Sequence, residues 1–114
     1  NSEQSAVEKA VKIAEDEIAA MRQKLSRHRA EEKQLQAELA DIDVQLPDLE
    51  SQKKAAVANR QYRDAATATS QIKALTERKD HLAASIEEGK KAIDVLDADL
   101  NRLIEDSARS HEEL

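Results

Sequence analysis

The chain has 114 residues and a net charge of −6, with 37% charged residues, 1% aromatic residues, one Gly, one Pro and no Cys. So few aromatic side chains argue against a compact globular core, since Phe, Tyr and Trp bury the most area per residue. The lack of Cys rules out disulfides and thiolate metal sites, and no apolar run approaches the ~18 residues needed to span a bilayer. Ala, Leu, Glu, Lys, Gln and Arg dominate instead, a mixture typical of long helices and coiled coils.

From the N-terminus, apolar residues recur at alternating steps of four and three: Val7, Val11, Ala14, Ile18, Met21, Leu25, then Leu35, Leu39, Ile42, Leu46, Leu49 and Ala56. His28, Glu32 and Lys53 are the polar residues at this spacing. The pattern is that of a coiled-coil seam and predicts a first helix over about residues 3–58. Pro47 lies inside it and removes a backbone hydrogen bond. The seam passes Pro47 in phase, so a kink is expected there and not a change of direction.

Past Ala56 the first seam would continue to Arg60, Arg63 and Thr67, none of them suited to it. A second seam starts at Ala65 and runs through Ala68, Ile72, Leu75, Lys79, Leu82, Ile86, Gly89, Ile93, Leu96, Leu100 and Leu103, fading at Ser107 and Ser110 towards Leu114. The shift between the seams is neither a stutter of four nor a stammer of three. One continuous helix would rotate its apolar face sharply near Arg60, whereas a turn removes the conflict. Asn59 is suited to the left-handed conformation that ends a helix, and Asp64 to capping the next one. The expectation is therefore an all-α antiparallel coiled-coil hairpin, with a turn at residues 59–63 and a second helix over 64–114. The whole is expected to be a single coiled-coil segment of a larger protein.

Folding at that turn makes residues whose numbers sum to 121 face each other, on arms of roughly 75 Å at 1.5 Å per residue. Glu32 then meets Gly89, Lys53 meets Ala68, and Lys79 meets Ile42, from which its amine can reach outward. The Glu32–Gly89 layer is expected to set register at some cost in stability.

Residues 49–75, "LESQKKAAVANRQYRDAATATSQIKAL", resemble the UVR motif through Leu49, Glu50, Lys54, Ala56, Asn59, Tyr62, Asp64, Ala65, Ala66, Ile72 and Leu75. Arg63 stands where that family usually has an acidic residue, and Thr69-Ser70 where it has Arg-Asp. The resemblance implies a helical hairpin and a protein-docking or self-association module. Such motifs occur in bacterial excision-repair proteins, Clp-type quality-control partners and eukaryotic coiled-coil scaffolds, and the long flanking arms resemble the scaffold group.

No catalytic, cofactor-binding or metal-binding constellation is found: there is no phosphate-binding glycine loop, and His28 and Glu32 would face Ile93 and Gly89, which cannot coordinate a metal. His81 and His111 lie far off in the hairpin. Residues 51–63 carry Lys53, Lys54, Arg60 and Arg63 and no acid, so a +4 tip sits on a chain of net charge −6. With Tyr62 this tip is the candidate docking surface for an acidic protein partner. Overall acidity and a single Tyr argue against nucleic acid. Ile13, Val44, Val57, Tyr62, Val95 and Ile104 are large apolar residues outside the seams, and Ile13 and Ile104 offer a homodimer contact at the open end. A parallel or swapped dimer through the seam is the other arrangement. The expected function is a non-catalytic scaffold or assembly module, cytoplasmic and cytoskeletal or centriolar by analogy. The alternative is a UVR-type docking module for DNA excision repair or Clp-type quality control.

Overall fold

Two long helices form in the computed structural model, which describes residues 1–112: α1 spans Ser2–Ala58 and α2 spans Tyr62–Glu112, with no strand among the described residues. The chain is an all-α helical hairpin. Asn1 caps α1, with the Gln4 N–H donating to Asn1 Oδ1 at 2.9 Å and the Ser5 N–H to the Asn1 carbonyl at 3.1 Å. These bonds satisfy backbone donors that a helix start leaves unpaired, and Glu3 in the first turn complements the positive end of the dipole.

Contacts divide the chain into two units, Asn1–Glu31 with Gly89–Leu114 and Glu32–Glu88. In each, α1 and α2 pair along the seam foreseen from spacing. All fifteen seam positions of α1, from Val7 to Ala56, are half-buried or buried, and the one other covered residue of α1 is Glu38. In α2 the seam is covered from Ala65 to Ser107, while Ser110 is exposed and Leu114 lies outside the described residues. The polar seam members behave as their chemistry requires. Lys79 is half-buried and sends its Nζ to Asp43 Oδ1 at 2.7 Å, next to the buried Ile42. Lys53 is half-buried, and Ala68 is buried.

Ion pairs also link the helices. In the unit that contains the turn, Arg78 grips Glu38; in the other, Arg29 Nη2 lies 3.8 Å from Asp97 Oδ1. With Lys79–Asp43, the paired residue numbers sum to 116, 126 and 122, bracketing the expected 121. Glu32 and Gly89, expected to share a layer, belong to different units. Each is half-buried, and a Cβ added to Gly89 would meet no atom within 4 Å.

α1 continues through Pro47 without a break in the helix, with the half-buried Leu46 and Leu49 on either side. Pro47 has no N–H, so the Asp43 carbonyl lacks its donor four residues on.

The turn is shorter than foreseen, occupying residues 59–61, and both cap assignments need correction. Arg60, not Asn59, takes the left-handed conformation, with φ 55°. The Gln61 N–H donates to the Ala56 carbonyl at 2.8 Å and the Arg60 N–H to the Val57 carbonyl at 3.1 Å. These are the two bonds of a Schellman motif, which places the left-handed residue at Arg60. Asn's preference for that conformation is modest, and the two bonds outweigh it. Gln61 is the N-cap of α2: the Ala65 N–H donates to its carbonyl at 3.0 Å. Asp64 therefore sits inside the first turn of α2, where its charge still complements the dipole. Nothing in Tyr62 or Arg63 delays the helix, because both have ordinary helix propensity.

Candidate functional site

The turn gathers the four cations of residues 51–63 at one end of the turn-containing unit. Lys53 and Lys54 lie in the last two turns of α1, Arg60 is the left-handed turn residue, and Arg63 is in the first turn of α2. Lys54, Arg60 and Arg63 are exposed and Lys53 is half-buried at the seam. Among the described residues none of the four joins an ion pair, whereas Arg29, Arg78 and Lys79 each bind a carboxylate across the helices. Tyr62 is 65% exposed and Val57 48% exposed, so the same end of the unit also offers aromatic and apolar surface to solvent. The neighbouring seam is lined by the buried Ala56, Ala65 and Ala68, small side chains that allow the helix axes to approach closely.

Beyond the tip, Arg78 and Glu38 form a bidentate contact between the helices. The Arg78 Nε donates to Glu38 Oε1 at 2.8 Å and its Nη2 to Oε2 at 2.9 Å, a two-point fork that matches the planes of the two groups. That hydrogen-bonded fork holds the Glu38 carboxyl below its usual range and raises Arg78. Glu38 is the covered non-seam residue of α1; the register summing to 121 would set it opposite Ala83, so the pair is reached only because the long Arg78 side chain extends along the hairpin.

A second feature was legible in the sequence and passed over. Residues 38–50 carry Glu38, Asp41, Asp43, Asp48 and Glu50 and no base, directly before the acid-free residues 51–63. Val44, in the midst of these acids, is 67% exposed. Two long open grooves near the tip share Gln52 and Gln71 as walls, and both are channels between the paired helices, not enclosed cavities.

No group of three or more His, Cys, Asp or Glu is placed to hold a metal among the described residues. His28 is half-buried, with its Nδ1 4.0 Å from Glu31 Oε2. The side chain of His111 lies outside the described residues, and His81 is exposed. Among the described residues no helix is long and apolar enough to cross a membrane. Ile13 is exposed and Ile104 half-buried. No family model, curated protein or solved structure matches this chain.

Proposed function

We propose that this chain is a non-catalytic coiled-coil scaffold or assembly module that mediates protein–protein interaction, with the turn end as its docking surface. The observation that carries this reading is the set of cations at the tip. Lys54, Arg60 and Arg63 are exposed and form no ion pair among the described residues, and Tyr62 and Val57 at the same end are exposed. Cations already paired within the fold would lose those bonds on meeting a partner. These three have none to lose, and Tyr62 adds rigid contact area at small cost in conformational entropy. An acidic protein surface fits this end. A cytoskeletal or centriolar setting accords with the long coiled coil by analogy with scaffold proteins.

The test uses a polyglutamate peptide as probe. Replacing Lys54, Arg60 and Arg63 by Glu should leave helicity and melting temperature nearly unchanged, since each exposed charge contributes under about 1 kcal/mol to folding. Binding to the peptide should be lost, and binding by the original chain should weaken as salt rises past physiological strength, where exposed charges are screened over about 8 Å. Equal binding by the two chains would end the docking reading.

A further inference from the structure

We propose that the acidic surface met by the tip is residues 38–50 of a second copy, so that two hairpins pair antiparallel through the outer face of α1. This rests on the reading of the tip as a docking surface and names its partner.

Two observations carry it. The first is the order of charge along the chain, through the end of α1 and into the turn that follows it. Residues 38–50 hold five acids and no base, and residues 51–63 that follow hold four bases and no acid. A parallel neighbour would set like against like. An antiparallel neighbour centred near Glu50 and Ser51 sets each basic stretch on the other's acidic one. In that register Arg60, just past the end of α1, lies near Asp41, the exposed Lys54 lies beside Asp48, and two-fold symmetry makes every such contact twice.

The second is Val44, 67% exposed within the acidic stretch. Asp41, Val44, Asp48, Ser51, Ala55 and Ala58 follow one another at steps of three and four, and all are exposed, on the face of α1 turned away from the seam. The register that joins the charges also brings Val44 against Ala55 and Ala58 of the second copy. The smallness of those residues lets the helices approach, and the exposed valine becomes covered.

Sedimentation equilibrium tests the pairing on four samples: the original chain; a tip-reversed chain (Lys54→Glu, Arg60→Glu, Arg63→Glu); an acid-reversed chain (Asp41→Lys, Asp48→Lys); and an equal mixture of the two reversed chains. Circular dichroism checks helicity in each. The original chain should dimerise, more weakly at high salt. Each reversed chain alone should dissociate with a constant at least about tenfold higher, as expected when close charge pairs become repulsive. The mixture should restore a dimer containing one of each. Val44→Lys, on a face that makes no seam contact, should weaken the dimer without loss of helicity.

An original chain that stays monomeric while its tip binds polyglutamate would overturn the pairing and leave the docking reading standing. A monomer that also fails to bind the peptide would end both. A dimer that survives both charge reversals but is broken by Ile13→Glu would assign the interface to Ile13 and overturn the proposal. Should a reversed chain lose helicity, Val44→Lys decides alone: an unchanged dimer overturns it.

Discussion

The unit that contains the turn and the unit that does not share one seam repeat, but they bury it differently. Of eight buried apolar side chains, Ile42, Ala56, Ala65, Ala68, Leu82 and Ile86 lie in Glu32–Glu88, and Leu25 and Leu100 in the other unit. Seam quality accounts for part of this, because α2 trades Leu and Ile for Ser107 and Ser110 where it pairs with Val7, Val11 and Ala14. Chain connection further separates the two units in stability. In the turn unit the helices are joined by three residues, 59–61. In the other unit the two segments are joined through all of Glu32–Glu88, and each doubling of a connecting loop adds about 0.6 kcal/mol to closure when that loop is unfolded. Opening should therefore begin at Asn1–Glu31 and its partner segment, which hydrogen exchange would show as lower protection there than around Leu82.

The sharpest test of this contrast is Leu82→Ala. Among the described residues Leu82 is the one side chain with 0% exposure, so truncation leaves a void with a large loss of contact, about 2–5 kcal/mol. Leu103→Ala in the other unit should cost clearly less, since Leu103 keeps part of its surface in water already. Urea melts followed at 222 nm measure both. Equal losses would mean that burial in the two units is the same in energy, and the comparison would fail.

The seam was legible because helical spacing is imposed by geometry alone: a residue every three or four positions must lie on one face, whatever its neighbours. The turn followed from the phase break at Arg60, and the register from the turn. The caps were not legible. Asn59 and Asp64 were read from side-chain preferences worth about a kcal/mol, while the backbone bonds from Gln61 and Arg60 to Ala56 and Val57 decided the geometry. The basic tip was legible as an acid-free run, but that its cations lack partners was not, because pairing depends on residues forty positions away, as Arg78 and Glu38 show.

Two substitutions of intermediate size, one in each unit, sharpen the contrast. Gly89→Ala should stabilise by about 1 kcal/mol: Gly89 lies in the interior of α2, its φ is not positive, and a Cβ there meets nothing within 4 Å. Glu32→Leu should also raise stability by about 1 kcal/mol, through apolar burial at a half-buried seam position of the turn unit. Thermal melts compare them. A loss with Gly89→Ala would show that the glycine serves a close approach by another chain, and a loss with Glu32→Leu that the carboxylate has a specific contact.

At the turn, Arg60→Gly should stabilise by about 0.5 kcal/mol. A left-handed residue with a Cβ costs about 1–2 kcal/mol, and the greater freedom of glycine in the unfolded chain offsets part of the relief. The variant also removes one tip cation, so the same protein should be more stable and bind polyglutamate more weakly. Stability unchanged or lowered would mean that the arginine side chain supports the turn.

The smallest effect is the pH dependence of the Arg78–Glu38 fork. Its hydrogen bonds hold the Glu38 carboxyl below its ordinary value in the folded chain. A depressed carboxyl contributes stability that is fully present above the ordinary Glu value. That contribution is lost as pH falls through the depressed one, because the proton then binds the unfolded chain first. Melting temperature should thus fall on acidification below the ordinary Glu range, and part of that fall should vanish in Glu38→Gln. The groups are solvent-exposed, so the difference should shrink as salt is added. Glu38 and Arg78 both lie in the turn unit, so Lys12→Gln, which removes an exposed pair with Asp16 within α1 of the other unit, serves as the control. If Lys12→Gln flattened the acid limb as much as Glu38→Gln does, a pair within one helix would be contributing as much as one that ties α1 to α2, and the cross-helix fork would hold no special part in the turn unit.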